Sequence, residues 1–170
     1  VFFGYQSGVK NTGYSNAGLG IKSLFSNTTG SNLVAIGDSA LYSNTTGSQN
    51  TALGSNTLFL NTTGSSNTST VQSALYSNTT GTVNTADGVA ALYSNTTGHD
   101  NVANGFVTLF SNTTGYFNTA SGNHSMESNT TGYQNTAVGT YALRQNTIGY
   151  NNTANGYNAL YSNTSGLYNT

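Results

Sequence analysis

Residues 81–97 read GTVNTADGVAALYSNTT and residues 98–114 read GHDNVANGFVTLFSNTT, one seventeen-residue unit followed at once by a near copy. The frame extends in both directions. NTTG or a close variant ends at Gly13, Gly30, Gly47, Gly64, Gly81, Gly98, Gly115, Gly132, Gly149 and Gly166, and a second glycine follows seven residues later at Gly20, Gly37, Gly54, Gly88, Gly105, Gly122, Gly139 and Gly156. Val71 stands where one of these second glycines is missing. The consensus is G-x-x-N-T-A-x-G-x-x-A-L-Y-S-N-T-T, with places counted from its first glycine. A helical repeat of two helices and a turn needs about 30 residues or more. This unit instead offers two short runs, N-T-A-x and A-L-Y-S, each bounded by the turn formers Gly, Asn and Ser. The pattern predicts an all-β chain wound as a parallel β-solenoid (β-roll), with one 17-residue coil per repeat and two short strands per coil. Residues 1–170 form a single array of about ten units, broken in mid-unit at both ends, as expected of a piece of a longer fibre. With coils stacked about 4.8 Å apart, the rod is on the order of 50 Å long.

Composition narrows the function classes. Charged residues make up 4% of the chain and the formal net charge is -1, whereas a soluble domain is on average about 25% charged. No basic surface for nucleic acid is available. The chain has no Cys and no Pro, so neither a disulfide framework nor a thiolate metal site is open to it. No apolar run approaches the roughly 18 residues of a membrane span, and the N-terminal VFFGYQSG lacks the basic and apolar segments of a signal peptide. Stacking explains the shortage of charge. Any charged place would recur at every coil and repel its own copies, while Asn, Thr and Tyr stack without limit.

The places of the unit can be read as files along the rod. Leu24, Leu41, Leu58, Leu75, Leu92, Leu109, Met126, Leu143 and Leu160 make one apolar file, and Ala35, Ala52, Ala86, Ala103, Ala120, Ala137 and Ala154 a second, both assigned to the core. Phe25, Tyr42, Phe59, Tyr76, Tyr93, Phe110 and Tyr161 follow the Leu file and, by strand alternation, fall on the outer face. Tyr42, Tyr76, Tyr93 and Tyr161 are therefore candidate contact aromatics, as are Tyr14, Tyr116, Tyr133 and Tyr150 at the first corner. Glu127 and Arg144 both occupy the aromatic place, one period apart, and in-register stacking sets them over each other as an ion pair. Asp38 is placed for a diagonal pairing with Lys22.

Asn27, Asn44, Asn61, Asn78, Asn95, Asn112, Asn129 and Asn163 each open an Asn-x-Thr or Asn-x-Ser sequence, the acceptor pattern for N-glycosylation. Asn67, Asn123 and Asn151 add matches elsewhere. Two readings of the eight corner residues stand side by side. One is a ladder of stacked amides that holds the turn. The other is a glycan-coated filament, in which acceptors about 5 Å apart would crowd.

The segments NLVAIGDSAL (from Asn32), NTALGSNTL (from Asn50) and NTAVGTYAL (from Asn135) resemble the head repeats of trimeric autotransporter adhesins. The whole unit also resembles repeats of phage tail-fibre and large bacterial surface proteins. That resemblance implies parallel β-rolls wound left-handed, assembly as trimers and a role in extracellular attachment. The expected function is a structural or adhesive extracellular fibre segment, on a cell surface, in a secreted filament or on a virion. Its expected partners are copies of itself, as a homotrimer or a head-to-tail filament, with surface glycans or a host receptor as targets. A third class, ice binding, is suggested by the Thr file of Thr51, Thr68, Thr85, Thr119, Thr136 and Thr153.

Catalysis is not expected, and no cofactor is. Asp38, Asp87, Asp100 and Glu127 fall at four different places in four coils, so they do not converge as paired carboxylates. His99 and Asp100 form a lone corner pair. His124, Ser125 and Glu127 share one coil, but strand alternation would separate His124 from the other two.

Overall fold

The computed structural model describes all residues, Val1–Thr170. Ten parallel strands follow one another in a single ten-stranded sheet in chain order. They are β1 (Phe2–Phe3), β2 (Ala17–Leu19), β3 (Val34–Ile36), β4 (Thr51–Leu53), β5 (Thr68–Thr70), β6 (Thr85–Asp87), β7 (Val102–Asn104), β8 (Thr119–Ser121), β9 (Thr136–Val138) and β10 (Thr153–Asn155). From β2 onward the register is one period, so that Ala35 lies over Ala52 and Thr136 under Thr153. Between β1 and β2 it is one residue shorter, with Phe2 opposite Gly18. The chain is an all-β parallel solenoid.

Each coil carries one strand, where two were expected. The run A-L-Y-S is a turn, because the core leucines lie in the left-handed region: φ is 53° at Leu24, 52° at Leu92, 50° at Met126 and 49° at Leu160. An L-residue there is disfavoured by about 1 to 2 kcal/mol. The neighbouring coils hold it in place. Leu75 N–H donates to Ala91 O of the next coil at 2.9 Å, and within its own coil Leu75 O accepts from Asn78 N–H at 3.2 Å, closing the turn. Such bonds run round the whole perimeter, and 98 of the 115 backbone hydrogen bonds lie outside the strands. Extended structure is therefore not what stacks the coils; an invariant backbone path is.

Inside the coil, the central strand residue points inward and its two neighbours point outward. Ala35, Ala52, Ala86, Ala103, Ala120 and Ala137 are fully buried, and so are eight of the core leucines' places from Leu24 to Leu143, while Leu160 packs at the edge of the cluster. The rest of the interior is polar. Of 51 buried residues, 22 are Asn, Ser or Thr, which is why so little aliphatic side chain suffices. No buried side-chain nitrogen or oxygen lacks a hydrogen-bond partner, so this polar interior avoids the penalty of unsatisfied groups.

Candidate functional site

Two files of asparagine run through the interior. At the NTTG corner, Asn44 Nδ2 donates to Gly47 O at 2.9 Å and to Asn27 Oδ1 of the preceding coil at 2.7 Å. Asn61, Asn78, Asn95, Asn112, Asn129 and Asn146 repeat the arrangement. The second file, at the fourth place, is Asn50, Asn67, Asn84, Asn101, Asn118, Asn135 and Asn152. Asn84 Nδ2 reaches Gly98 O at 2.8 Å, and that carbonyl also accepts from Asn95 Nδ2 at 3.0 Å. One glycine carbonyl thus ties both ladders together across the coil. Glycine is required at this corner, since a Cβ on Gly47 would sit 2.3 Å from Gly64 O and 2.6 Å from Asn44 Oδ1. Leu33 takes an asparagine's place in the second file, fully buried, and interrupts it.

These contacts correct the glycan-acceptor reading of the corner. Asn27, Asn44, Asn61, Asn78, Asn95, Asn112 and Asn129 are 0% exposed, and each Nδ2 spends both hydrogens on the ladder. A sugar on Nδ2 would replace one of those hydrogens and has no path to solvent. Asn163 is half-buried and keeps both bonds at longer range, 3.1 and 3.4 Å. Asn67 is buried in the other file, whereas Asn123 is exposed.

The candidate contact aromatics divide into groups. Phe25, Tyr42, Phe59, Tyr76, Tyr93 and Phe110 form one stack with ring centroids 5.0 to 5.2 Å apart and planes within 12°. Their faces are spent on one another, and each is half-buried. His99, Tyr116, Tyr133 and Tyr150 form a second stack at 5.1, 4.9 and 4.5 Å. Loss of hydration, with the adjacent Tyr150 and Tyr116, raises the Tyr133 hydroxyl pKa above its ordinary value. Tyr14 stands apart, 72% exposed, because Ser31, Ser48, Ser65 and Thr82 occupy its place in the next four coils.

The first stack ends where Glu127 and Arg144 replace aromatic rings, and a network begins. Arg144 Nε donates to Glu127 Oε2 at 2.7 Å, and Arg144 Nη1 donates to Tyr161 Oη at 2.8 Å. Partial burial pushes the Glu127 carboxyl up, but the hydrogen bond and charge of Arg144, followed by those of His124, outweigh it and hold it below its ordinary value. The bonds to Glu127 and then Tyr161 hold the Arg144 guanidinium above its own. His124 joins the network, its Nδ1 lying 3.0 Å from Glu127 Oε2. Strand alternation should have kept them apart. With φ of 54° at His124 and 50° at Met126, the segment is not extended and the alternation does not apply. Ser125 is buried and donates to Ala137 O at 3.2 Å, away from the His124 and Glu127 pair.

The remaining acidic groups are engaged one at a time. Asp38 Oδ1 accepts from Ile21 N–H at 3.0 Å and makes no ion pair with Lys22. Asp87 accepts from the Thr70 hydroxyl, and Asp100 Oδ2 lies 2.8 Å from His99 Nδ1.

Beside Arg144 a recess of about 480 Å³ opens, lined by Tyr141, Arg144, Tyr157, Asn158 and Tyr161. Sequence reasoning did not single out Tyr141, Tyr157 or Asn158. No signal marked them, because both places vary from coil to coil: Lys22, Ser39, Val107 and His124 stand where Tyr141 does, and Ile21, Ser55, Val89 and Phe106 where Tyr157 does.

The sheet's outer face carries two rows. The Thr file, with Val34 and Val102, forms one, half-buried at Val34 and Thr51 and exposed from Thr68 onward. The other begins apolar, with Phe3 63%, Leu19 51%, Ile36 42% and Leu53 37% exposed. It turns polar at Thr70, Asp87, Asn104 and Ser121, is apolar again at Val138 and ends on Asn155. No helix is present that is long and apolar enough to cross a membrane. Set against known proteins, the chain matches no family model, no curated protein and no solved structure.

Proposed function

We propose that this chain is a rod segment of an extracellular fibre, structural and adhesive, whose length comes from stacking and whose binding strength comes from repetition. The observation that carries this reading is the constancy of the contact between coils. The same Asn and backbone bonds and the same Leu packing recur through most of the chain, broken in the Asn file only at Leu33 and in the first coil, so a coil can be added with no new fold. Side chains at the outward places recur at the same spacing, and weak contacts at fixed spacing add through avidity. The resemblance of NLVAIGDSAL and NTAVGTYAL to adhesin-head and tail-fibre repeats supports the same reading.

Self-association is the second part of the proposal. The exposed row of Phe3, Leu19, Ile36 and Leu53 is the strongest apolar file on the sheet's outer face, and a contiguous apolar patch on a surface marks a contact. It suits a second copy of the chain packed over β1 to β4, as a homotrimer or a laterally paired filament. Because the row turns polar after Leu53, a trimer sealed along its full length by this face is disfavoured. Sedimentation analysis of the chain, alone and with Leu19→Ser plus Ile36→Ser, tests this part. An assembly that the double change dissociates supports it, and a monomer at every concentration overturns it. Imaging of the native assembly, together with attachment of the purified rod to cell or glycan surfaces, tests the fibre and adhesive parts.

One observation favours ice binding as a second reading, since the Thr file lies in register on the outer face of the parallel sheet. The mixed companion row weighs against it. Thermal hysteresis at high protein concentration would support the reading, and its absence would remove it.

A further inference from the structure

Eleven asparagines of the chain open an Asn-x-Thr or Asn-x-Ser acceptor sequence, and the fold sorts them by what the side-chain nitrogen does. Nine of them, the eight at the corner and Asn67, donate from Nδ2 into the amide lattice. Asn123 and Asn151 do not. Asn123 is exposed, two residues beyond β8, and its Oδ1 accepts from Phe106 N–H of the preceding coil at 3.3 Å while its Nδ2 donates to nothing in the chain. Asn151 is half-buried, two residues before β10, and only its backbone N–H is engaged, to Tyr133 O at 3.2 Å. The two differ from the corner file in crowding as well. Phe106 and Thr140 flank Asn123 in the coils on either side, and Gln134 and Tyr168 flank Asn151, none of them an acceptor. Asn123 and Asn151 themselves lie two coils apart, about 10 Å along the rod, and on opposite sides of the strand in their coils.

We propose that Asn123 and Asn151 are the N-glycan acceptors of this chain. The acceptor sequence supplies the chemistry. Nδ2 attacks the anomeric carbon of a lipid-linked diphosphate sugar, the C–N bond forms as the C–O bond to the diphosphate breaks, and one amide proton is lost. A glycosylated amide keeps its carbonyl oxygen, so Asn123 retains its bond from Phe106 N–H. At the corner the same reaction is incompatible with the rod. Asn95 Nδ2 donates to both Asn78 Oδ1 and Gly98 O, and a chain glycosylated there before folding could not enter the lattice. Stacked rods therefore carry sugar at Asn123 and Asn151 alone, as two separate attachments in place of a continuous coat. This inference rests on the extracellular part of the proposed function, because the lipid-linked donor meets secreted chains.

The test is glycopeptide mapping of the protein from its native source, by mass spectrometry with a fragmentation that leaves each sugar on its residue. The expected result is sugar on Asn123 and Asn151, with Asn67 and the eight corner asparagines bare. The double change Asn123→Gln and Asn151→Gln, made in the same cells, should lose all N-linked sugar. That variant keeps the fold, since Gln72 and Gln134 stand at the same two places in other coils, and circular dichroism checks it. Bare Asn123 and Asn151, sugar on a corner residue such as Asn95, or N-linked sugar that survives the double change would each overturn the proposal. Imaging of the assembly is scored separately. A fibre that is bare at both residues overturns the acceptors and leaves the fibre reading standing; sugar on both residues of a chain that forms no fibre supports the acceptors and removes that reading.

Discussion

At the scale of single residues, the repeat's exceptions are the most informative. Val71 replaces a glycine and adopts φ of 71°, where its counterparts lie between 127° and 150°. A β-branched residue at positive φ is strained by about 1 to 3 kcal/mol, partly offset by its smaller unfolded-state entropy. Val71→Gly is therefore expected to stabilise the rod by about 1 kcal/mol in chemical denaturation, with little apolar burial lost because Val71 is 43% exposed. Asn95 predicts the opposite sign. Asn95→Asp would set a carboxylate oxygen against Asn78 Oδ1 and Gly98 O, which now accept from its amide at 2.8 and 3.0 Å. A loss on the order of 3 kcal/mol is expected at neutral pH, from reversed hydrogen bonding and a buried charge. Glu127 supplies a pH signature. Its pKa is lowered on folding, so its stabilisation is fully present above the ordinary value of 4.5 and fades as the pH falls through the folded value. Since the pair is partly exposed, the effect stays under about 1 kcal/mol. Stability measured from pH 6 down to pH 3 (roughly the range spanning carboxylate titration) should fall less steeply in Glu127→Gln than in the parent.

At the scale of the element, the turn that replaces the expected second strand can be tested directly. In a strand or helix interior, glycine is worse than alanine by roughly 0.5 to 1 kcal/mol. Leu92 has φ of 52°, where alanine is itself disfavoured and glycine is not. Both Leu92→Ala and Leu92→Gly lose the buried side chain, at a cost of about 2 to 5 kcal/mol. The glycine variant should nevertheless be at least as stable as the alanine variant by thermal or urea unfolding. A clear advantage for alanine would mean that A-L-Y-S is extended after all. The burial pattern alone could not decide this, because a strand and a left-handed turn both place Leu inside and the following ring outside. Sequence alternation gave the right faces from the wrong backbone for Leu92 and Tyr93, and for the same reason it separated His124 from Glu127, which the turn brings together.

At the scale of the whole molecule, contacts link each coil to the next and to no other element: β3 packs on β2 and β4, and so on along the sheet. Stability is then a sum of coil terms and nearest-neighbour interface terms. Deleting residues 81–97 in frame removes one coil and rejoins identical surfaces. The shortened chain should fold with unchanged circular dichroism per residue, be shorter by about 4.8 Å in small-angle scattering, and unfold at a lower denaturant concentration. Loss of folding on this deletion would mean that some non-neighbour contact matters. Charge sparsity belongs to this scale as well. Glu127 is the one acidic residue answered by a cation of the next coil, Arg144 across one period at 2.7 Å.

The sequence by itself determined the period, the coil length, the parallel in-register stacking and the inward Leu and Ala files. It could do so because a repeat forces every copy into one environment, and ten copies average out the ambiguity of any single short run. Only the tertiary structure decided that each coil has one strand, that two files of buried asparagine form an amide lattice closed to glycosylation, and that Glu127, Arg144, His124, Tyr141 and Tyr161 form one cluster. Those features depend on backbone torsions in the left-handed region and on hydrogen bonds between coils. Residue type and spacing do not encode either of them within a single unit, since Leu is rarely left-handed and Asn rarely buried, and only the stacked neighbours above and below make them so.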